Sequence, residues 1–214
     1  MEKNLASLID HTLLKPATKE QIIQLCAEAK DNGFASVCVL PDYIALCAKE
    51  LNGSKVEVCT VVGFPLGENT TATKVFETEN AISLGATEID MVINASWAKS
   101  DMWEEVQEEI SAVVASANHT LVKVIIETCL LSKEKIVKAC EASILAGAQF
   151  VKTSTGFSSG GATVEAVEIM AKTVHSKGLK VKASGGIHTR QEALSMVEAG
   201  ADRIGTSSGL AIIK

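Results

Sequence analysis

Short apolar runs alternate along this chain with longer stretches whose apolar positions recur every three or four residues. The short runs fall at residues 7–10, 36–40, 56–62, 88–93, 121–127, 150–153, 180–183 and 203–205, and they read as buried strands. The stretches between them predict helices over 18–32, 41–51, 73–84, 102–117, 132–145, 164–176 and 189–198, with Thr18 capping the first and Pro41 in the first turn of the second. Gly33, Gly85, Gly147, Gly178 and Gly200 each stand just past a helical stretch, where a left-handed residue ends the helix before the next strand. Strands joined through helices pair in parallel by right-handed crossovers, and eight of them close a (β/α)8 TIM barrel, expected here as a single domain over residues 1–214. The rival is an open, doubly wound sheet. It would carry a glycine-rich nucleotide loop after its first strand, where this chain has Asp10-His11-Thr12-Leu13-Leu14. The final helix must be very short, because only residues 210–214 remain for it.

Composition narrows the partners. Aromatics make up only 4% of residues, so the core must come from Val, Ile, Leu and Ala. A net charge of −6 argues against a nucleic-acid or anionic-membrane surface but leaves room for a local anion site. The cysteines (Cys26, Cys38, Cys47, Cys59, Cys129 and Cys140) form no C-x-x-C pair and have no histidine at zinc-ligand spacing. Neither a metal nor a cofactor is expected. No apolar run reaches membrane-spanning length and residues 1–5 lack a signal-peptide core, so a cytoplasmic protein with reduced thiols is expected.

The chemistry lies in charged residues set inside the apolar runs. Lys152 follows Gln149-Phe150-Val151 and precedes Thr153-Ser154-Thr155-Gly156; Lys182 follows Leu179-Lys180-Val181 and precedes Ala183-Ser184-Gly185-Gly186. A desolvated amine beside a second cation gives up its proton more easily, and a neutral amine is the nucleophile of Schiff-base chemistry. Side chains two apart share a strand face, so Asp90, Lys123, Lys152 and Lys182 converge inside the barrel if theirs is the inward face. Burying four ionisable groups together is costly unless they pair, and such clusters are more often catalytic than structural. A lone strand lysine is ordinarily an edge or surface residue, which suits Lys180 at the start of its run.

Two glycine segments, Ala183-Ser184-Gly185-Gly186-Ile187 and Gly205-Thr206-Ser207-Ser208-Gly209, end the seventh and eighth strands. Loops at those barrel positions commonly bind phosphate through backbone N–H groups and a short helix N-terminus. The remaining features read as structural. His119, His175 and His188 suit surface or loop positions, while His11 beside Asp10 either contacts ligand or packs. Trp97 and Trp103 suit packing or a subunit contact, Glu104, Glu105, Glu108 and Glu109 read as a solvated helix face, and residues 69–73 as a loop on the active face.

The segments Val151–Phe157, Val181–Ile187 and Arg203–Gly209 resemble the signatures of the deoxyribose-phosphate aldolases, as do segments 9–14, 36–41, 61–67, 88–94 and 123–128. The resemblance spans nearly the whole chain in order. It implies a class I aldolase that cleaves 2-deoxy-D-ribose 5-phosphate to D-glyceraldehyde 3-phosphate and acetaldehyde. It further implies Lys152 as the Schiff-base lysine, Lys182 as its pKa-lowering and proton-transferring neighbour, and Asp90 as a proton donor and acceptor. Asp10 and Lys123 match supporting residues, and Cys38 a nearby cysteine that is not the nucleophile. Gly156, Gly185, Gly186, Ser207 and Ser208 match phosphate-contacting positions. Members are commonly homodimers. Some carry a longer C-terminal tail ending in a tyrosine that helps proton transfer; here the chain stops at Lys214 and its only tyrosine is Tyr43, so that role is absent or taken by water. The alternatives are another phosphosugar barrel enzyme (an epimerase, an isomerase or a different aldolase) and a non-catalytic barrel that binds a sugar phosphate.

Overall fold

The computed structural model describes residues 5–214. Eight parallel strands close a barrel in sequence order: β1 Ile9–Leu13, β2 Ser36–Val39, β3 Glu57–Val62, β4 Glu88–Val92, β5 Leu121–Ile125, β6 Phe150–Lys152, β7 Lys180–Ser184 and β8 Arg203–Thr206, with β8 returning to β1. Around them lie α1 Lys19–Asn32, α2 Ile44–Glu50, α3 Thr71–Ser83, α4 Ala95–Lys99, α5 Trp103–Ser116, α6 Lys133–Leu145, α7 Val164–Val174, α8 Arg190–Glu198 and α9 Gly209–Ile212. Outward-facing strand residues such as Val37, Ile89, Val124 and Val181 pack against the buried helix faces in one apolar layer. Among the described residues, no helix is long and apolar enough to cross a membrane.

The boundaries follow local chemistry. Thr18 caps α1 in a capping box with Gln21, and Thr189 caps α8 in one with Glu192. The five glycines expected to stop helices all have positive φ. Several expected bounds shift. Residues 5–8 form a 3-10 turn, and the first strand starts at Ile9, where pairing with β8 begins. The fifth strand stops at Ile125 rather than 127, because Glu127 adopts φ +50, outside the strand region. Residues 71–73 belong to α3, capped by Thr70, and not to a loop. The one-turn helix α4 was not expected; Asn94 caps it.

The barrel interior has two unlike sides. Leu14, Cys38, Cys59 and Val61, with Leu40 and Phe64 against them, make an apolar patch along β1–β3. The charged residues gather on β4–β8 and on Asp10 of β1.

Candidate active site

The strand registers assemble the charged cluster. Asp90 pairs in register with Lys123 on the neighbouring strand, and Lys152 with Lys182. Asp90 Oδ1 accepts from Lys123 Nζ at 2.8 Å; Asp90 Oδ2 accepts from both Lys152 Nζ and Lys182 Nζ, each at 2.7 Å. Lys182 Nζ also reaches Asp10 Oδ2 at 2.5 Å, and Lys123 Nζ reaches Glu88 Oε2 at 2.6 Å. Arg203 closes the circuit by donating to Asp10 Oδ1 at 2.6 Å and to both Glu88 oxygens. The convergence expected from strand alternation is therefore found, and Asp10 lies within it. Glu88 and Arg203 enlarge the cluster beyond the residues the sequence suggested. β8 leaves room for Lys182 because Gly205 has no Cβ; one there would stand 2.9 Å from Lys182 Cε.

Opposite charges at such distances outweigh desolvation. Burial works against the charged forms of Asp10 and Asp90, yet the surrounding cations hold both carboxyls below the ordinary range. Burial likewise works against the ammonium of Lys182, but Asp10 and Asp90 hold it above the usual lysine range; Asp90 and its neighbours do the same for Lys123. Lys182 is thus a fixed cation that shares one carboxylate oxygen with Lys152.

Above the cluster a cavity of about 250 Å³ opens at the C-terminal ends of the strands. Lys152 is in its wall, whereas Asp90, Lys123 and Lys182 lie fully buried beneath. Gly156, Gly185, Gly186 and Ser207 also line it. All three of these glycines have positive φ, and the β6 and β7 loops interlock: Ala162 N–H donates to Gly185 O at 3.0 Å. Ser208 stands apart from the wall. Its hydroxyl lies 3.3 Å from His188 Nδ1, and it heads the four-residue α9. Cys38 is fully buried in the apolar patch, outside the cavity wall, as the residue facing Cys59 across β2 and β3.

Other expected positions resolve differently. His11 turns away from the barrel axis, hydrogen-bonds Glu28 at 2.8 Å and meets Phe34 edge-on, so it packs and contributes nothing to the cavity wall. Glu109 is not solvated; it is buried against Lys74 at 2.7 Å, and Lys74 also donates to Gly67 O and Val92 O. The sequence signal for that pair was weak, since each residue sits in an otherwise ordinary amphipathic helix. The donor groups nearest to a metal-ligand arrangement are Cys38, Cys59 and Asp90, and Asp10, Cys59 and Glu88. Each carboxylate in them already contacts a lysine or arginine cation, which a metal ion would have to displace.

A parallel barrel with a lysine in the wall of a cavity at the C-terminal ends of its strands, over a buried carboxylate and a second lysine that carboxylates hold in its charged form, has the arrangement of an enzyme of the aldolase type. Residues 5–214 match the model of the DeoC/LacD family of aldolases. The chain belongs to that family. It is 57% identical to a deoxyribose-phosphate aldolase of Geobacillus sp. (strain WCH70), over 100% of this chain and 96% of the relative, and 58% identical to one of Streptococcus sanguinis (strain SK36), over 96% and 94%. Its fold superposes on the tetrameric deoxyribose phosphate aldolase of Aeropyrum pernix with a TM-score of 0.91 and 38% identity, covering 98% of this chain and 89% of that one.

Proposed function

We propose that the protein is a deoxyribose-phosphate aldolase that reversibly cleaves 2-deoxy-D-ribose 5-phosphate to D-glyceraldehyde 3-phosphate and acetaldehyde through a Schiff base on Lys152. The observation that carries this is that Lys152 lines the cavity while its Nζ donates to the carboxylate oxygen it shares with Lys182. Four cationic side chains (Lys123, Lys152, Lys182 and Arg203) face three carboxylates (Asp10, Glu88 and Asp90) in this interior. Of these cations Lys152 has a single carboxylate contact and meets the cavity, so we assign the nucleophile's role to Lys152.

Neutral Lys152 attacks C1 of the open-chain sugar, forming the C–N bond while the nitrogen gives up one proton and the carbonyl oxygen takes one, which leaves a carbinolamine. A second proton expels that oxygen as water and leaves the protonated imine. The C3 hydroxyl loses its proton, the C2–C3 bond breaks, and its electron pair flows into the imine to give the enamine. C3 becomes the aldehyde of D-glyceraldehyde 3-phosphate. Protonation at C2 and addition of one water then release acetaldehyde and Lys152. Asp90 Oδ2, in contact with both amines, is placed to pass these protons, and Lys182 supplies the fixed charge that stabilises oxyanions formed beside it. Gly156, Gly185, Gly186, Ser207 and Ser208 form the phosphate end, with Ser208 acting from behind the wall by setting His188 and the first turn of α9. We assign Asp10, Lys123 and Cys38 to support: the first two fix Lys182 and Asp90, and Cys38 packs the apolar side.

A homodimer and a cytoplasmic location belong to the same reading; six free thiols suit a reducing compartment, and light scattering gives the copy number. To test the reaction, the protein is incubated with substrate, reduced with borohydride, and the adduct located by mass spectrometry. An adduct on Lys152 and its absence in Lys152→Ala, together with lost turnover, are expected. An adduct elsewhere, or an active Lys152→Ala, rejects the assignment.

A further inference from the structure

We propose that Lys15 is a phosphate-binding residue through which the enzyme favours phosphorylated over unphosphorylated 2-deoxyribose, an inference that rests on the aldolase reading above. Lys15 lies two residues past β1 and lines the same cavity as Lys152, Gly186 and Ser207. No acidic side chain lines that cavity. A phosphate monoester carries close to two negative charges at neutral pH, and backbone N–H groups and hydroxyls orient it without neutralising it. A cation at the phosphate end therefore has a task that glycines and serines cannot perform.

Lys15 is free to perform it. Lys123, Lys152 and Lys182 are each committed to a carboxylate, whereas among the described residues no ion pair or hydrogen bond engages the Lys15 ammonium, and the residue is exposed. Lys152 is the other lysine in the wall, but it bonds to C1, while the phosphate sits on C5 at the far end of the substrate. The chain beneath Lys15 is also fixed in advance. Pro16 locks its own φ, and the Tyr43 hydroxyl holds Ala17 from both sides, accepting from Ala17 N–H and donating to Ala17 O, each at 2.9 Å. Thr18 then caps α1. A backbone anchored in this way leaves only the side chain to be ordered on binding.

Initial rates of the unsubstituted chain, Lys15→Met and Lys15→Arg are measured on 2-deoxy-D-ribose 5-phosphate and on 2-deoxy-D-ribose. In Lys15→Met, KM for the phosphorylated sugar is expected to rise by roughly tenfold to a hundredfold, the worth of one charge-assisted hydrogen bond. Its kcat and its kcat/KM on the unphosphorylated sugar should stay within about twofold, and Lys15→Arg should restore the low KM. Equal losses on both sugars, or an unchanged KM for the phosphorylated one, overturn the proposal while leaving the aldolase reading intact. If the unsubstituted chain cleaves neither sugar, the parent reading fails and this proposal fails with it.

Discussion

Asp90 serves three amines with two oxygens, and that economy makes it the most sensitive residue of the cluster. In Asp90→Asn, Lys123 keeps Glu88 and Lys182 keeps Asp10, but Lys152 loses its one carboxylate partner. An amide NH2 would also face an ammonium. We expect kcat to fall by at least about 100-fold, the lower end of what a positioned acid–base group contributes. Urea unfolding should show a loss of about 3–5 kcal/mol, as for a broken buried ion pair. A variant with normal kcat and reduced stability would make Asp90 structural only. Asp90, Lys123, Lys152 and Lys182 were legible because each interrupts an apolar run at an inward position. Glu88 and Arg203 were not, because each opens its strand, where a charge ordinarily meets solvent; only barrel closure brings β8 to β1 and Arg203 to Asp10. Glu109 read as solvated for a related reason. It shares a helix with Glu104, Glu105 and Glu108, and nothing in the local spacing tells the buried member from its neighbours.

At the scale of elements, the proposed phosphate end rests on the β6 and β7 loops being held together. Thr153 Oγ1 donates to Ser184 O and accepts from Ser184 N–H, and the Ser184 hydroxyl donates to Ser154 O at 2.6 Å. Next to this seam Gly161 lies so close to the β7 loop that a Cβ there would stand 2.2 Å from Gly185 O. That oxygen is backbone and cannot swing aside without moving the loop. Gly161→Ala should therefore raise KM for deoxyribose 5-phosphate, while borohydride trapping with acetaldehyde, which has no phosphate, continues at Lys152. Loss of the acetaldehyde adduct as well would place the damage at the lysine instead. The alternation of strands and helices made the barrel itself readable, and terminal glycines and capping residues set most helix ends to within a residue or two. Loop contacts such as Gly161 on Gly185 were invisible, since they join residues far apart in sequence through backbone alone.

For the whole molecule, the buried cluster sets how stability responds to pH. Asp10 and Asp90 in the folded state hold protons less tightly than a carboxyl with the ordinary value of 3.8, so their contribution is complete above that value and is lost as pH falls below it. Lys123 and Lys182 hold protons more tightly than a lysine at 10.5, and their contribution is complete below that value and lost as pH rises beyond it. The Lys74–Glu109 pair pulls the other way. Burial lowers Lys74 and raises Glu109, so each costs stability while charged, and that cost is relieved as pH falls through the folded value of Glu109 or rises through that of Lys74. Two strongly shifted acids and two strongly shifted lysines outweigh one opposing pair. Scanning calorimetry across pH should give a melting temperature with a broad plateau between these limits, falling below about pH 4 and again above about pH 10.5. The plateau should be nearly insensitive to added salt, because the cluster is buried and mobile ions screen buried pairs poorly. In Lys182→Met the acid arm should become shallower, since Asp10 and Asp90 each lose a cation that depresses them. A melting temperature that climbs as pH drops toward 3 would mean that the carboxylates are protonated in the native state, and the charge arrangement assigned here to the barrel interior would be wrong.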